Sequence, residues 1–213
     1  MNNLIKAVIF DMDGVLIEAK DWHYEALNRA LGLFGYEISR YDHLITYDGL
    51  PTVVKLEMLT REKGLPQELH DFINELKQKY TMELVYSNCK PRFIHEYALS
   101  KLKSEGYKIG CASNSVRDSV NVMLNKSNLY NYMDIILSAQ DVNEAKPASE
   151  MYDSAISELG FSPKECLIVE DNENGIISAK ASGAHVMVID DVKEVNIINI
   201  QNKIISIEME SNK

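Results

Sequence analysis

The sequence has 213 residues, 46% hydrophobic and 25% charged, enough for one α/β domain or for a core with a small accessory domain. Its 32 acidic and 22 basic residues leave a net charge of −10, without the basic footprint of a nucleic-acid surface, and no stretch approaches the roughly 20 apolar residues of a membrane span. Cys89, Cys111 and Cys166 are odd in number and form no CxxC pair, residues 1–10 carry no secretory cleavage site, and the expected setting is reducing and cytoplasmic.

Residues 4–10, Leu-Ile-Lys-Ala-Val-Ile-Phe, form a short apolar run rich in branched side chains that ends on an acidic turn, and they read as a buried strand. No strand pattern follows between Leu16 and Val85. Apolar residues there recur at helical spacing in three stripes: Trp22, Ala26, Leu27, Ala30, Leu31 and Phe34; Val53, Leu56 and Leu59; Leu69, Phe72, Ile73, Leu76 and Tyr80. Gly35 and Gly64 are placed as helix stops. Further strands are expected at 107–112, 133–138, 166–170 and 185–190, alternating with helices at 92–105, 116–126, 149–159 and 173–182. A fifth later strand is read at 203–207, within a polar C-terminal tail. Strands alternating with helices imply a doubly wound, Rossmann-like parallel sheet covered on both faces. The expected organisation is an α/β core from residues 1–15 and 88–213, with residues 16–87 as an inserted α-helical cap domain.

Ligands of open α/β sheets bind beyond the carboxyl ends of the strands, so the residues after each expected strand carry the functional reading. The first strand runs into Asp11-Met12-Asp13-Gly14, two carboxylates on one side of an extended segment beside a residue free to turn. The second runs into Ser113-Asn114-Ser115. Taken alone this is a helix cap; beside two aspartates it is a cradle for phosphate. Lys146 sits before Pro147 in the loop after the third strand. The fourth runs into Glu170-Asp171, followed by Asn172, Asn174 and Gly175. Four carboxylates on one rim repel each other unless a cation is present, and oxygen-only ligands favour a hard divalent ion, most simply Mg²⁺, over zinc.

The ordered set Asp11-Met12-Asp13-Gly14, Ser113-Asn114, Lys146-Pro147 and Glu170-Asp171 with Gly175 resembles the haloacid dehalogenase superfamily over nearly the whole chain. The helical insertion is similar to that of the branch holding β-phosphoglucomutase and sugar-phosphate phosphatases. The resemblance implies a phosphatase acting through an aspartyl-phosphate intermediate. Asp11 is then the nucleophile and Asp13 the general acid and base. Ser113, Asn114 and Lys146 hold the phosphoryl group, and Mg²⁺ is bound by Asp11, Asp13 through its carbonyl, and Asp171, with Glu170 as ligand or support. It also implies a cap that closes over a small phosphorylated metabolite, with His23 at a histidine position that in the mutases helps orient the nucleophile's acid partner, and with Trp22, His23, Tyr47, Asp48 and Lys55 as candidate substrate-specificity contacts. A monomer is expected, with no membrane or nucleic-acid partner.

Two residues depart from the branch. Gly49-Leu50-Pro51-Thr52 lacks the arginine that grips a second phosphate in the mutases, which favours hydrolysis over a phosphosugar mutase. Glu18 stands where the branch has a small acidic pair with serine or threonine. A non-catalytic phosphate-binding or signalling module is the reading of another class, disfavoured because Asp11 lies on the first strand and a cap follows it.

Overall fold

A computed structural model describes residues 4–211. Residues 1–3, part of the segment read as lacking a cleavage site, and residues 212–213 of the polar tail lie outside them. The chain divides into two compact units, Met1–Glu18 with Lys90–Lys213, and Ala19–Cys89.

The first unit is built on five parallel strands: β1 (Ala7–Phe10), β2 (Lys108–Ala112), β3 (Ile135–Leu137), β4 (Cys166–Glu170) and β5 (His185–Val188). Their order across the sheet is β3-β2-β1-β4-β5. The register pairs Phe10 with Cys111 on one side and with Val169 on the other. Every residue of β1 and β4 is buried, so these strands read as continuous apolar runs rather than as alternating ones. The crossover helices are α5 (Phe93–Ser104), α6 (Arg117–Lys126), α7 (Glu150–Leu159) and α8 (Glu173–Ala181), numbered after the four helices of the other unit. Met151, Tyr152, Ala155 and Ile156 of α7 pack with Ala7, Ile9, Ala112, Leu137 and Ile168 of the sheet. Among the described residues, no helix is long and apolar enough to cross a membrane.

The expected strand at 203–207 is instead part of a helix, α9 (Ile197–Ser211). The run of isoleucines suggests β structure, but Ile200, Ile204 and Ile207 are buried at helical spacing, while Ile205 is 47% exposed. Ile204→Ala is therefore expected to destabilise by about 2–5 kcal/mol and Ile205→Ala by less than about 0.5 kcal/mol, measured by urea unfolding. A strand would place Ile205 with Ile207 on its inner face and reverse the ranking. The strand at 166–170 is as expected, and the other four are shorter, with residues 4–6, 107, 133–134, 138 and 189–190 outside them.

The second unit holds α1 (Lys20–Gly32), the short α2 (Arg40–Asp42) running into a π-helical turn at His43–Tyr47, α3 (Thr52–Lys63) and α4 (His70–Asn88). Leu27, Ala30, Leu31, Ile38, Tyr47, Leu56, Leu59, Leu65 and Ile73 form its core. Gly64 ends α3 at φ +69°, a backbone state that costs glycine nothing. Two expected stripe members face outward: Val53 is 55% exposed, and Phe72, 51% exposed, lies edge-on to Phe34. Their spacing matches the stripe, but each lies at the margin of the buried arc.

Candidate active site

The site grows from the carboxyl ends of three adjacent strands. Asp11 follows β1 and is held in the sheet by its backbone N–H, which donates to the Val169 carbonyl at 3.0 Å. Ser113 follows β2 and donates likewise to the Leu137 carbonyl at 3.0 Å. Glu170 is the last residue of β4. Because the three strands are in register, these side chains emerge on one rim.

Lys146 enters that rim from the loop after β3, and its peptide bond to Pro147 is cis. Asn114 fixes the loop: its Nδ2 donates to the Lys146 carbonyl at 3.2 Å and its Oδ1 accepts from the Lys146 N–H at 3.1 Å. Asn114, expected as a phosphate contact, thus gives its amide to the backbone that carries the lysine. The ammonium of Lys146 lies 2.6 Å from Asp11 Oδ1, 2.7 Å from Glu170 Oε1, 2.8 Å from the Ala112 carbonyl and 2.8 Å from the Tyr152 hydroxyl. All these side chains are buried: Asp11 is 5% exposed, Lys146 3% and Glu170 0%.

Burial shapes the charges. Asp11 is pushed well above the usual carboxylate range, first by desolvation and then by the neighbouring Glu170, Asp171 and Asp13, against the pull of Lys146. Desolvation alone would lower Lys146. Asp11 and Glu170 outweigh it and hold the lysine above its ordinary range. One cation facing this many acids leaves the rim short of positive charge.

Glu170 is the best-held of the acids. Its Oε1 accepts from Lys146 and from the Tyr152 hydroxyl, and its Oε2 accepts from the Asp171 N–H at 3.1 Å. It lies against the first turn of α8, where a Cβ on Gly175 would overlap the Glu170 carboxylate, so only glycine fits there. The N–H of Gly175 is in turn capped by Asn172 Oδ1 at 3.1 Å.

Asp13 lies at the start of a tight turn in which Gly14, at φ +98°, donates to the Ile17 carbonyl at 2.7 Å. Its Oδ2 accepts from Ser115 Oγ at 2.7 Å and from Ser113 Oγ at 3.3 Å. The structure thus gathers two hydrogen-bonded sets on the rim: Asp11, Lys146 and Glu170, with Asn114 joined through the Lys146 backbone and Asp171 through its own N–H, and Asp13 with Ser113 and Ser115. His23 belongs to the helical unit, on α1, with its Nδ1 3.3 Å from the buried Lys77 of α4. In the same unit Tyr47 donates to Glu62 at 2.8 Å as part of the core, Asp48 lies 3.6 Å from Lys20, Lys55 is 8% exposed and Trp22 is half-buried.

The sequence does not single out Tyr152, and it reads Ser115 only as a helix cap. The one signal for Tyr152 is its place six residues after Lys146, on the face of α7 that also carries Met151, Ala155 and Ile156.

Asp11, Glu170 and Asp171 each offer an oxygen within 4.8 Å of the others. Hard carboxylate donors in a rim short of positive charge suit a divalent ion such as Mg²⁺. The Asp13 carboxylate, turned to the two serines, is not part of this cluster.

Residues 8–189 match the family model of haloacid dehalogenase-like hydrolases. The Bacillus subtilis protein YhcW is 32% identical over 189 residues, 87% of this chain and 84% of that one. A phosphorylated carbohydrates phosphatase of Thermotoga maritima is 28% identical over 182 residues, 84% of this chain and 82% of that one. The fold is that of the β-phosphoglucomutase of Clostridium difficile, with a TM-score of 0.84 at 23% identity over 96% of this chain and 99% of that one. A parallel sheet in this order, the acids and lysine on its carboxyl rim and a match to the family model over most of the sequence lead to one conclusion: the chain belongs to the haloacid dehalogenase-like hydrolases.

Proposed function

We propose that this chain, a phosphatase of its family, hydrolyses a small phosphomonoester through a phosphorylated Asp11, with Mg²⁺ as cofactor. The observation that carries the reading is the buried Asp11 carboxylate, ion-paired to Lys146 at 2.6 Å and two residues before a second acid, Asp13, held by two serine hydroxyls. Asp11 attacks phosphorus, and the bond to the leaving oxygen breaks as Asp13 gives that oxygen a proton. Asp13 then takes a proton from water, whose oxygen attacks phosphorus and frees Asp11 and inorganic phosphate. Lys146 and Ser113 hold the phosphoryl oxygens where charge gathers. Asp11, the Asp13 carbonyl and Asp171 would hold Mg²⁺, with Glu170 behind them because both its oxygens are engaged within the protein. The ion supplies charge neutralisation and orientation of the phosphoryl group.

A phosphorylated sugar, polyol or amino alcohol is the substrate class proposed, and the similarity to the phosphorylated carbohydrates phosphatase of Thermotoga maritima supports it. The test is release of inorganic phosphate from a panel of such esters, with Mg²⁺ and with EDTA. Release that needs Mg²⁺ is the expected result. Transfer of phosphate between positions of one sugar, with none released, would replace the reading by a mutase.

A further inference from the structure

The Lys146 ammonium has three N–H donors and lies within hydrogen-bond distance of four oxygens, on Asp11, Ala112, Tyr152 and Glu170. A phosphoryl oxygen would be a fifth. With one donor turned to substrate only two remain for these four oxygens, so partners must be given up, and a buried carboxylate deprived of its donor is costly. Tyr152 resolves this conflict. Its hydroxyl donates to Glu170 Oε1, the oxygen that Lys146 also holds, and its ring lies 4.5 Å from the ammonium, over the lysine tip. Tyr152 is fully buried, and its side chain is fixed by packing of α7 on the sheet.

We infer that Tyr152 is a positioning residue: its hydroxyl keeps Glu170 satisfied and in place, so that Lys146 can leave Glu170 for the phosphoryl group while Glu170 continues to hold the Asp171 backbone. The inference rests on the phosphatase reading for its kinetic consequence, and on geometry alone for its effect on the acids. Without the hydroxyl, Glu170 Oε1 depends on Lys146 alone, which draws the lysine away from Asp11. The hold of Glu170 on the Asp171 N–H, at 3.1 Å, loosens with it.

Tyr152→Phe keeps the ring and removes one oxygen. It is expected to stay folded, to lower kcat about 10- to 100-fold with KM changed less than about threefold, and to raise about tenfold the Mg²⁺ concentration that gives half of the metal-induced rise in melting temperature. The same change made in a Glu170→Gln background is expected to cost less than about threefold in kcat, because the hydroxyl acts through the carboxylate. A packing role would lower both backgrounds equally, and that outcome overturns the inference. So does a Tyr152→Phe enzyme with parental kcat and an unmoved Mg²⁺ midpoint. If the parent itself releases no phosphate, the phosphatase reading fails; the Mg²⁺ midpoint, measured on melting alone, still decides whether Tyr152 positions the acids.

Discussion

Asp11→Asn is expected to lower phosphate release by about 10³-fold or more, because the amide can neither attack phosphorus nor carry the phosphoryl group. The protein should not unfold in consequence. Asp11 is buried and pushed well above the ordinary carboxylate range, first by desolvation and then by Glu170, Asp171 and Asp13. A carboxyl whose folded pKa is raised binds its proton more tightly in the folded state. Its favourable share of stability is present at low pH and lost as pH rises through the folded value. Wherever Asp11 is ionised its buried charge is therefore a burden, and the isosteric amide removes it. Without Mg²⁺, Asp11→Asn should melt at or above the parent temperature, and the parent should gain on the variant as pH falls. Added Mg²⁺ should favour the parent, whose Asp11 is proposed as a ligand. A variant that retains more than a few per cent of parental release would remove Asp11 from the nucleophile's role.

Lys146→Met is expected to have the largest combined effect. It takes the Lys146 ammonium from two buried acids, Asp11 and Glu170, and leaves their negative charges uncompensated. Removing one partner of a buried ion pair costs about 3–5 kcal/mol, far above the worth of a surface pair. Urea unfolding without metal should show that loss, and Mg²⁺ should restore part of it by supplying positive charge to the same acids. Activity should not return with the metal, since nothing then replaces the ammonium on the phosphoryl oxygens. A stability change below about 1 kcal/mol would mean that the acids are held by other means, and would weaken the view of Lys146 as the hub of the rim.

How far the sequence can be read depends on the range of the forces involved. Strand runs and helix stripes are local, so the sheet, its crossover helices and the helical insertion follow from periodicity. The acids and lysine are legible as well, because in a parallel sheet each expected strand end marks the rim in advance. The run at 203–207 misleads because branched side chains favour a strand intrinsically, while the spacing of Ile200, Ile204 and Ile207 suits a helix that buries one face. That choice is made by what the segment packs on.

What the sequence by itself determined, then, is the α/β class, the order of the four motifs and the family to which they point. Only the tertiary structure decided the roles within the rim. It turned Asn114 to the Lys146 backbone, gave Asp13 to Ser113 and Ser115, and enclosed Glu170 between Gly175 and the Tyr152 hydroxyl. Each of these depends on atoms brought together from distant parts of the chain, within a few ångströms and away from water. There a single hydrogen bond or a missing Cβ decides which acid stays free to react and which is held, and no local pattern of residues encodes that distance.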